Sequence, residues 1–293
     1  MIRFAALPLL AMLLVPVTAQ AQPRPGSGGV RDDPNRARPI DALESPWIGD
    51  LTWFEVRDAI GAGKTTAIIP TGAVSEENGP YLAGRKHDII LSATAPAIAR
   101  KLGNTLIAPI VGFVPEGGWD VPFGTAQHPG TIGVSDATFE AILTDVATSL
   151  RSMGFERIIL IGDSGGNQAP QGRVAAALNA KWADGKTKVY HIAEYYNWPE
   201  RQEWLAERGI NEVLGKNGPA GAPGIGLHDE FSASAIMLMQ DPTSVRIDQR
   251  KRVGQFSING VDLAPEERTV ALARELVDWI ADVTVTAIQE AIQ

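Results

Sequence analysis

The 293-residue chain contains no cysteine. That absence excludes disulfides, thiolate metal sites and cysteine nucleophiles together, so any metal must be held by histidine and carboxylate. Histidines number only four, which leaves few imidazoles for such a site. Cationic excess is missing too: 26 Lys and Arg stand against 34 Asp and Glu, a formal charge of -8. A nucleic-acid or anionic-membrane partner would need a basic face, and the sequence offers none. After the N-terminal segment, no apolar run approaches the roughly 20 residues a membrane span requires, and no segment repeats.

What is present begins with an export signal. Arg3 gives a basic start, residues 4–17 are almost wholly apolar, and Ala19-Gln20-Ala21 offers the small-x-small pattern a signal peptidase accepts. A signal peptide over residues 1–21 is expected, and with it an exported protein, periplasmic or secreted, that leaves the membrane after cleavage. Residues 22–44 are rich in Pro, Gly, Arg and Asp, cannot bury a core, and read as a disordered leader. Residues 45–293 suffice for a single domain with its own core.

Helical and strand patterns then alternate. The spacing predicts helices over 52–62, 91–102, 167–182, 200–208, 229–239 and 265–292, another running from Ser135 to Gly154, and strands over 65–70, 105–109, 157–161 and 188–195. Residues 217–227, rich in Gly and Pro, read as loop. Such alternation marks an α/β fold with a largely parallel sheet. Ligands of these sheets bind outside the carboxyl ends of the strands, which directs attention to residues 72–88, 112–131 and 162–167.

Two motifs there mislead. Gly61-Ala62-Gly63-Lys64-Thr65 looks like half of a phosphate loop, but it ends a helix and opens a strand, the reverse of the order phosphate binding needs. Gly162-Asp163-Ser164-Gly165-Gly166 reproduces the nucleophile pentapeptide of chymotrypsin-like proteases. Those proteases are paired β-barrels, whereas this segment joins a strand to a helix. A different serine hydrolase stays open, because a serine on a strand-to-helix turn is exposed to attack substrate.

Four collinear segments carry a stronger likeness. The stretch from Leu51 to Asp88, LTWFEVRDAIGAGKTTAIIPTGAVSEENGPYLAGRKHD, resembles the opening of creatininase-family proteins. There a Leu-Thr-Trp helix leads to a buried strand ending Pro-x-Gly, a loop Glu-Gln-His-Gly-Pro-His-Leu, and an Asp. His128-Pro129-Gly130-Thr131 resembles the family's Phe-Pro-Gly-Thr, and residues 162–167 stand where it has Asn-Gly-His-Gly-Gly-Asn. His228 to Ser234 resembles His-Ala-Gly-Glu-Phe-Glu-Thr-Ser, one residue shorter. The resemblance implies a three-layer αβα sandwich with a mostly parallel central sheet, usually hexameric. It also implies a two-metal centre that hydrolyses C–N bonds of small amides or cyclic amides.

Carried onto this sequence, Glu76 matches the family's first carboxylate ligand. Asp88 matches its bridging carboxylate after a one-residue insertion. The loop histidine is Asn78 here, the histidine of Asn-Gly-His is Ser164, and the second Glu of the last motif is Ser232. With two imidazoles gone, three outcomes stay open. A divalent metal (manganese, zinc, magnesium or calcium) persists on Glu76, Asp88 and Asp163, with Glu77, His87, His228 or Glu230 as further donors. Alternatively, the metal is lost and Ser164 or His228 serves a metal-independent hydrolase, or the protein is an inactive periplasmic binding relative. His228, Glu230 and Ser164 are the candidate catalytic residues. Asn78, Gly165, Gly166, Asn167, Trp119 and His128 are candidates for binding substrate, the glycines through backbone N–H groups. Tyr196 and Trp198 are candidate pocket walls. His87 reads as a loop surface residue and His191 as a sheet-face residue.

Overall fold

The computed structural model describes residues 33–183, 185–213, 229–254 and 257–293. The export segment, the loop at 217–227 and His228 lie outside the described residues. The chain divides into two units, Met1–Pro39 and Ile40–Gln293. In the first, the Arg36 N–H closes a turn on the Asp33 carbonyl at 3.0 Å; the second holds all the described strands and helices of the fold.

Helix α1 (Trp53–Gly61) opens on a capping box, the Thr52 hydroxyl accepting from the Glu55 N–H while the Glu55 carboxylate accepts from that of Thr52. Strand β1 (Thr66–Thr71) follows, then α2 (Lys86–Leu102), β2 (Thr105–Ile107), α3 (Asp136–Met153), β3 (Arg157–Gly162), α4 (Gly165–Lys181) and β4 (Lys188–His191). The chain continues through α5 (Trp198–Glu207), α6 (Phe231–Gln240), α7 (Ile247–Arg252), the short antiparallel pair β5 (Ser257–Ile258) and β6 (Val261–Asp262), and α8 (Glu266–Ile292). Ser135 caps α3 by accepting from the Thr138 N–H. Gly154 ends that helix in the left-handed region at φ 107°, a conformation open to glycine.

The central sheet has four parallel strands in the order β2-β1-β3-β4, with Ala67 opposite both Leu106 and Ile158. Side chains alternate between the faces of a strand. Ile68, Ile107, Ile159 and Ile161 therefore pack into one core with Ile90 and Ile98 of α2, Phe231 and Ile236 of α6, and Leu276 and Ile280 of α8. Ala67, Ile69, Leu106, Ile158 and Leu160 pack into the other with Phe139 and Leu143 of α3 and Val174 and Leu178 of α4. The result is the expected three-layer αβα sandwich. Among the described residues no helix is long and apolar enough to cross a membrane.

Two expected boundaries are off by more than two residues, and α7, β5 and β6 were not anticipated. Helix α2 begins at Lys86, ahead of the predicted residue 91, because Ile89 and Ile90 bury against the core and extend the helix toward its N-terminus. Strand β4 ends at His191, after which residues 193–196 form a 3-10 turn.

Candidate active site

The carboxyl ends of β1 and β3 are tied to each other before any functional group is placed. The Thr71 hydroxyl donates to the Ile161 carbonyl (3.2 Å) and accepts from the amides of Asn167 (3.0 Å) and Gln171 (2.8 Å). The Asn167 amide also donates to the Thr71 and Gly72 carbonyls. A β-carbon on Gly162 would strike the Gln171 amide, so only glycine lets α4 approach this closely. Asn167, expected to bind substrate, is thus fully buried as a brace between strand ends.

Beyond these ends lies a cavity of about 540 Å³, lined among others by Glu76, Lys86, His87, Glu116, Asp163, Arg201 and Glu230. His87, expected at the surface, is buried in the first turn of α2. Its Nδ1 lies 2.8 Å from Asp163 Oδ2, and its Nε2 bonds to Glu76 Oε2. With each ring nitrogen against a carboxylate oxygen, the arrangement favours the doubly protonated imidazolium, which donates from both sides. Burial, the largest single influence, lowers its pKa, and Lys86 lowers it further. The hydrogen bonds of Asp163 and Glu76, with the Asp163 charge, outweigh both and raise it to about 9.

Glu116, which the sequence reading did not single out, is 5% exposed. Burial and the nearby negative charge of Glu76 push its carboxyl up to about 7. Its Oε2 accepts from the Thr125 hydroxyl at 3.0 Å, whereas its Oε1 is buried without a partner. Across the cavity α4 begins at Ser164, whose side chain makes no capping hydrogen bond. The N–H groups of Gly165 and Gly166 form the positive end of that helix dipole at the cavity wall.

The expected metal ligands are not gathered in this arrangement. Asp88 is one residue past His87, a rotation of about 100° on a helix, and its carboxylate lies against Gly72 rather than lining the cavity. Its Oδ1 is buried without a partner, and burial raises its pKa. Asn78 turns its amide onto the Glu76 and Gly84 carbonyls. Glu76 and Asp163 do face one another, but the His87 ring stands between them with both nitrogens engaged. Among the described residues no group of three or more His, Asp or Glu could hold a metal ion. As arranged, the described residues around His87 do not fit a divalent metal.

A family model described as creatinine amidohydrolase matches residues 49–288. The chain belongs to the creatininase family. A creatinine amidohydrolase of Pseudomonas putida is 25% identical over 119 residues, 40% of this chain and 44% of that protein. The aligned stretch thus spans less than half of that creatininase. A solved creatinine amidohydrolase (creatininase) is 21% identical with a TM-score of 0.56, covering 85% of this chain and 97% of its own. A structure described as creatininase Mn (20% identical, TM-score 0.55) and a variant of Zn-Zn type (22%, 0.54) each cover 85% of this chain and 98% of their own. At such identities these structures show a shared creatininase fold.

Of the remaining expected residues, Ser164, Gly165, Gly166, Glu230 and Tyr196 line the cavity. No histidine among the described residues is hydrogen-bonded to Ser164, since His87 is committed to two carboxylates and His191 Nε2 to Gln168 at 2.9 Å. Trp119 and His128 are exposed and outside the cavity lining, and the Glu77 carboxylate accepts from the Gly79 N–H. Lys86, Glu116 and Arg201 were missed. Glu116 falls within the strand-end stretch 112–131, the one signal that pointed to it.

Proposed function

We propose that this creatininase-family chain hydrolyses the C–N bond of a small amide or cyclic amide, using protein groups to move the proton. Glu116 carries the reading: a buried carboxyl with a pKa of about 7 and an unpartnered oxygen, in the same cavity as an uncapped helix start. The substrate carbonyl oxygen docks on the Gly165 and Gly166 N–H groups, which stabilise the oxyanion. Ionised Glu116 takes a proton from water as the water oxygen bonds to the carbonyl carbon. The same carboxyl then returns that proton to the nitrogen as the C–N bond breaks, releasing acid and amine. The His87 imidazolium offsets one of the two negative charges of Glu76 and Asp163 beside the reacting centre.

Family membership supports the reaction class, and a related creatininase structure described as complexed with creatine supports a small ligand. The metal of the Mn and Zn-Zn relatives is assigned no step here, because His87 occupies the space between the carboxylates. Export through residues 1–21 and a hexameric assembly complete the proposal; N-terminal sequencing of the mature protein and light scattering test them. For the chemistry, turnover of a panel of amides and lactams should fall about 10²–10⁴-fold in Glu116→Gln. Unchanged turnover in that variant would sink the assignment.

A further inference from the structure

We infer that the cavity contains a carboxylate-binding subsite built on Arg201, so that the substrate is an amide bearing a free carboxylate; this rests on the hydrolase reading above. Arg201 lies in the first turn of α5, lines the cavity and is 4% exposed. Its Nε is buried with no hydrogen-bond partner. A buried guanidinium donor left unmatched is unfavourable until water, an ion or a ligand supplies the acceptor, and this one stands on the wall of a cavity large enough for a ligand. Lys86, 3% exposed, lines the same cavity, as do the open N–H groups at the start of α4.

The charges select the kind of anion. The His87 charge is spent on Glu76 and Asp163, and Glu116 is partly protonated near neutrality. The lining then carries three cations, Lys86, His87 and Arg201, against the carboxylates of Glu76, Asp163 and Glu230, with Glu116 partly ionised, so there is no positive excess to balance a dianion. A monoanionic carboxylate adds the least negative charge to such a lining and fits the planar N–H fork of arginine through two parallel bonds. A phosphate dianion would bring a second negative charge against Glu230 and Glu116.

The test titrates the full mature chain at pH 7 by calorimetry with N-acetylglycine, its neutral amide N-acetylglycinamide, and inorganic phosphate. Wild type should bind N-acetylglycine at least about tenfold more tightly than the amide, with phosphate weaker. Arg201→Gln should lose about tenfold or more for the carboxylate, while Arg201→Lys keeps part of the preference. Circular dichroism checks the variants, and the carboxylate-against-amide comparison stands on wild type alone. Equal binding of the two, binding of neither, tighter binding of phosphate, or an unaltered folded Arg201→Gln would each overturn the subsite. Turnover is assayed separately. Carboxylate selectivity without hydrolysis of any amide removes only the hydrolase reading, whereas hydrolysis of neutral amides without selectivity removes only the subsite.

Discussion

Folding of this protein should take up a proton at His87, and the effect is large enough to measure. Moving the imidazole from 6.5 to about 9 corresponds to roughly 3 kcal/mol. Because the folded-state pKa lies above the unfolded one, this stabilisation is fully present below pH 6.5 and lost as pH rises through about 9. Set against a total stability on the order of 5–15 kcal/mol, that is a substantial share. At about 2–4 °C per kcal/mol for a domain of this size, it amounts to some 6–12 °C in Tm. Glu116 and Glu212, both raised to about 7 mainly by burial, lose their own contribution between 4.5 and about 7, so the window from pH 7.5 to 9.5 isolates the histidine. Urea unfolding across that window should show wild type losing stability steeply. His87→Gln, which has no titrating ring, should be weaker at pH 7 and nearly flat above 7.5. Parallel profiles for the two proteins, or a flat wild type, would refute a charged His87 between Glu76 and Asp163.

The same groups shape activity. kcat/KM should rise through about pH 7 as Glu116 ionises to act as base, and fall through about pH 9 as His87 loses its proton; a profile lacking the lower limb contradicts the role of Glu116. Elemental analysis of protein purified without metal-affinity steps should find less than one divalent metal per chain, and chelator should leave Tm unchanged; stoichiometric metal whose removal lowers Tm contradicts the arrangement at His87. Arg250, 1% exposed, donates from Nη2 to Asp229 Oδ2 at 2.6 Å just ahead of α6. Arg250→Ala strands a buried carboxylate and should cost about 3–5 kcal/mol in urea unfolding, and a loss under 1 kcal/mol would mean the site relaxes or admits water.

Layer order and sheet type were legible because hydrophobic period and strand-helix alternation are local properties of the chain. The site was legible only by region. Glu76, Asp163, Ser164 and the two glycines follow strand ends that the alternation locates, and all line the cavity. His87 was obscured by the start of α2. Arg85 stands at its N-cap without a side-chain capping bond, and Lys86 and His87 fill a first turn where the dipole favours acids. Burial of Ile89 and Ile90 overrides those local preferences, an influence of tertiary packing that no window of sequence contains. The likeness to the family's motif then settled on Asp88, and one residue of helix turns that side chain out of the cavity. Arg201 carries no local mark, and Glu116 only its place in the 112–131 stretch; the assembled fold alone brings α5 and that stretch to one place.

The tie between Thr71, Asn167 and Gln171 gives the cavity two unlike walls. The strand-end wall is cross-braced, since shifting α4 and β3 against β1 would break several buried hydrogen bonds at once. The opposite wall comes from the segment that carries Glu116, whose neighbours Phe113, Trp119, Val121 and Phe123 are exposed. Changes in ligand preference therefore have somewhere inexpensive to accumulate. Substitutions at the outer positions of that segment can reshape the mouth of the cavity without loosening the carboxylates around His87.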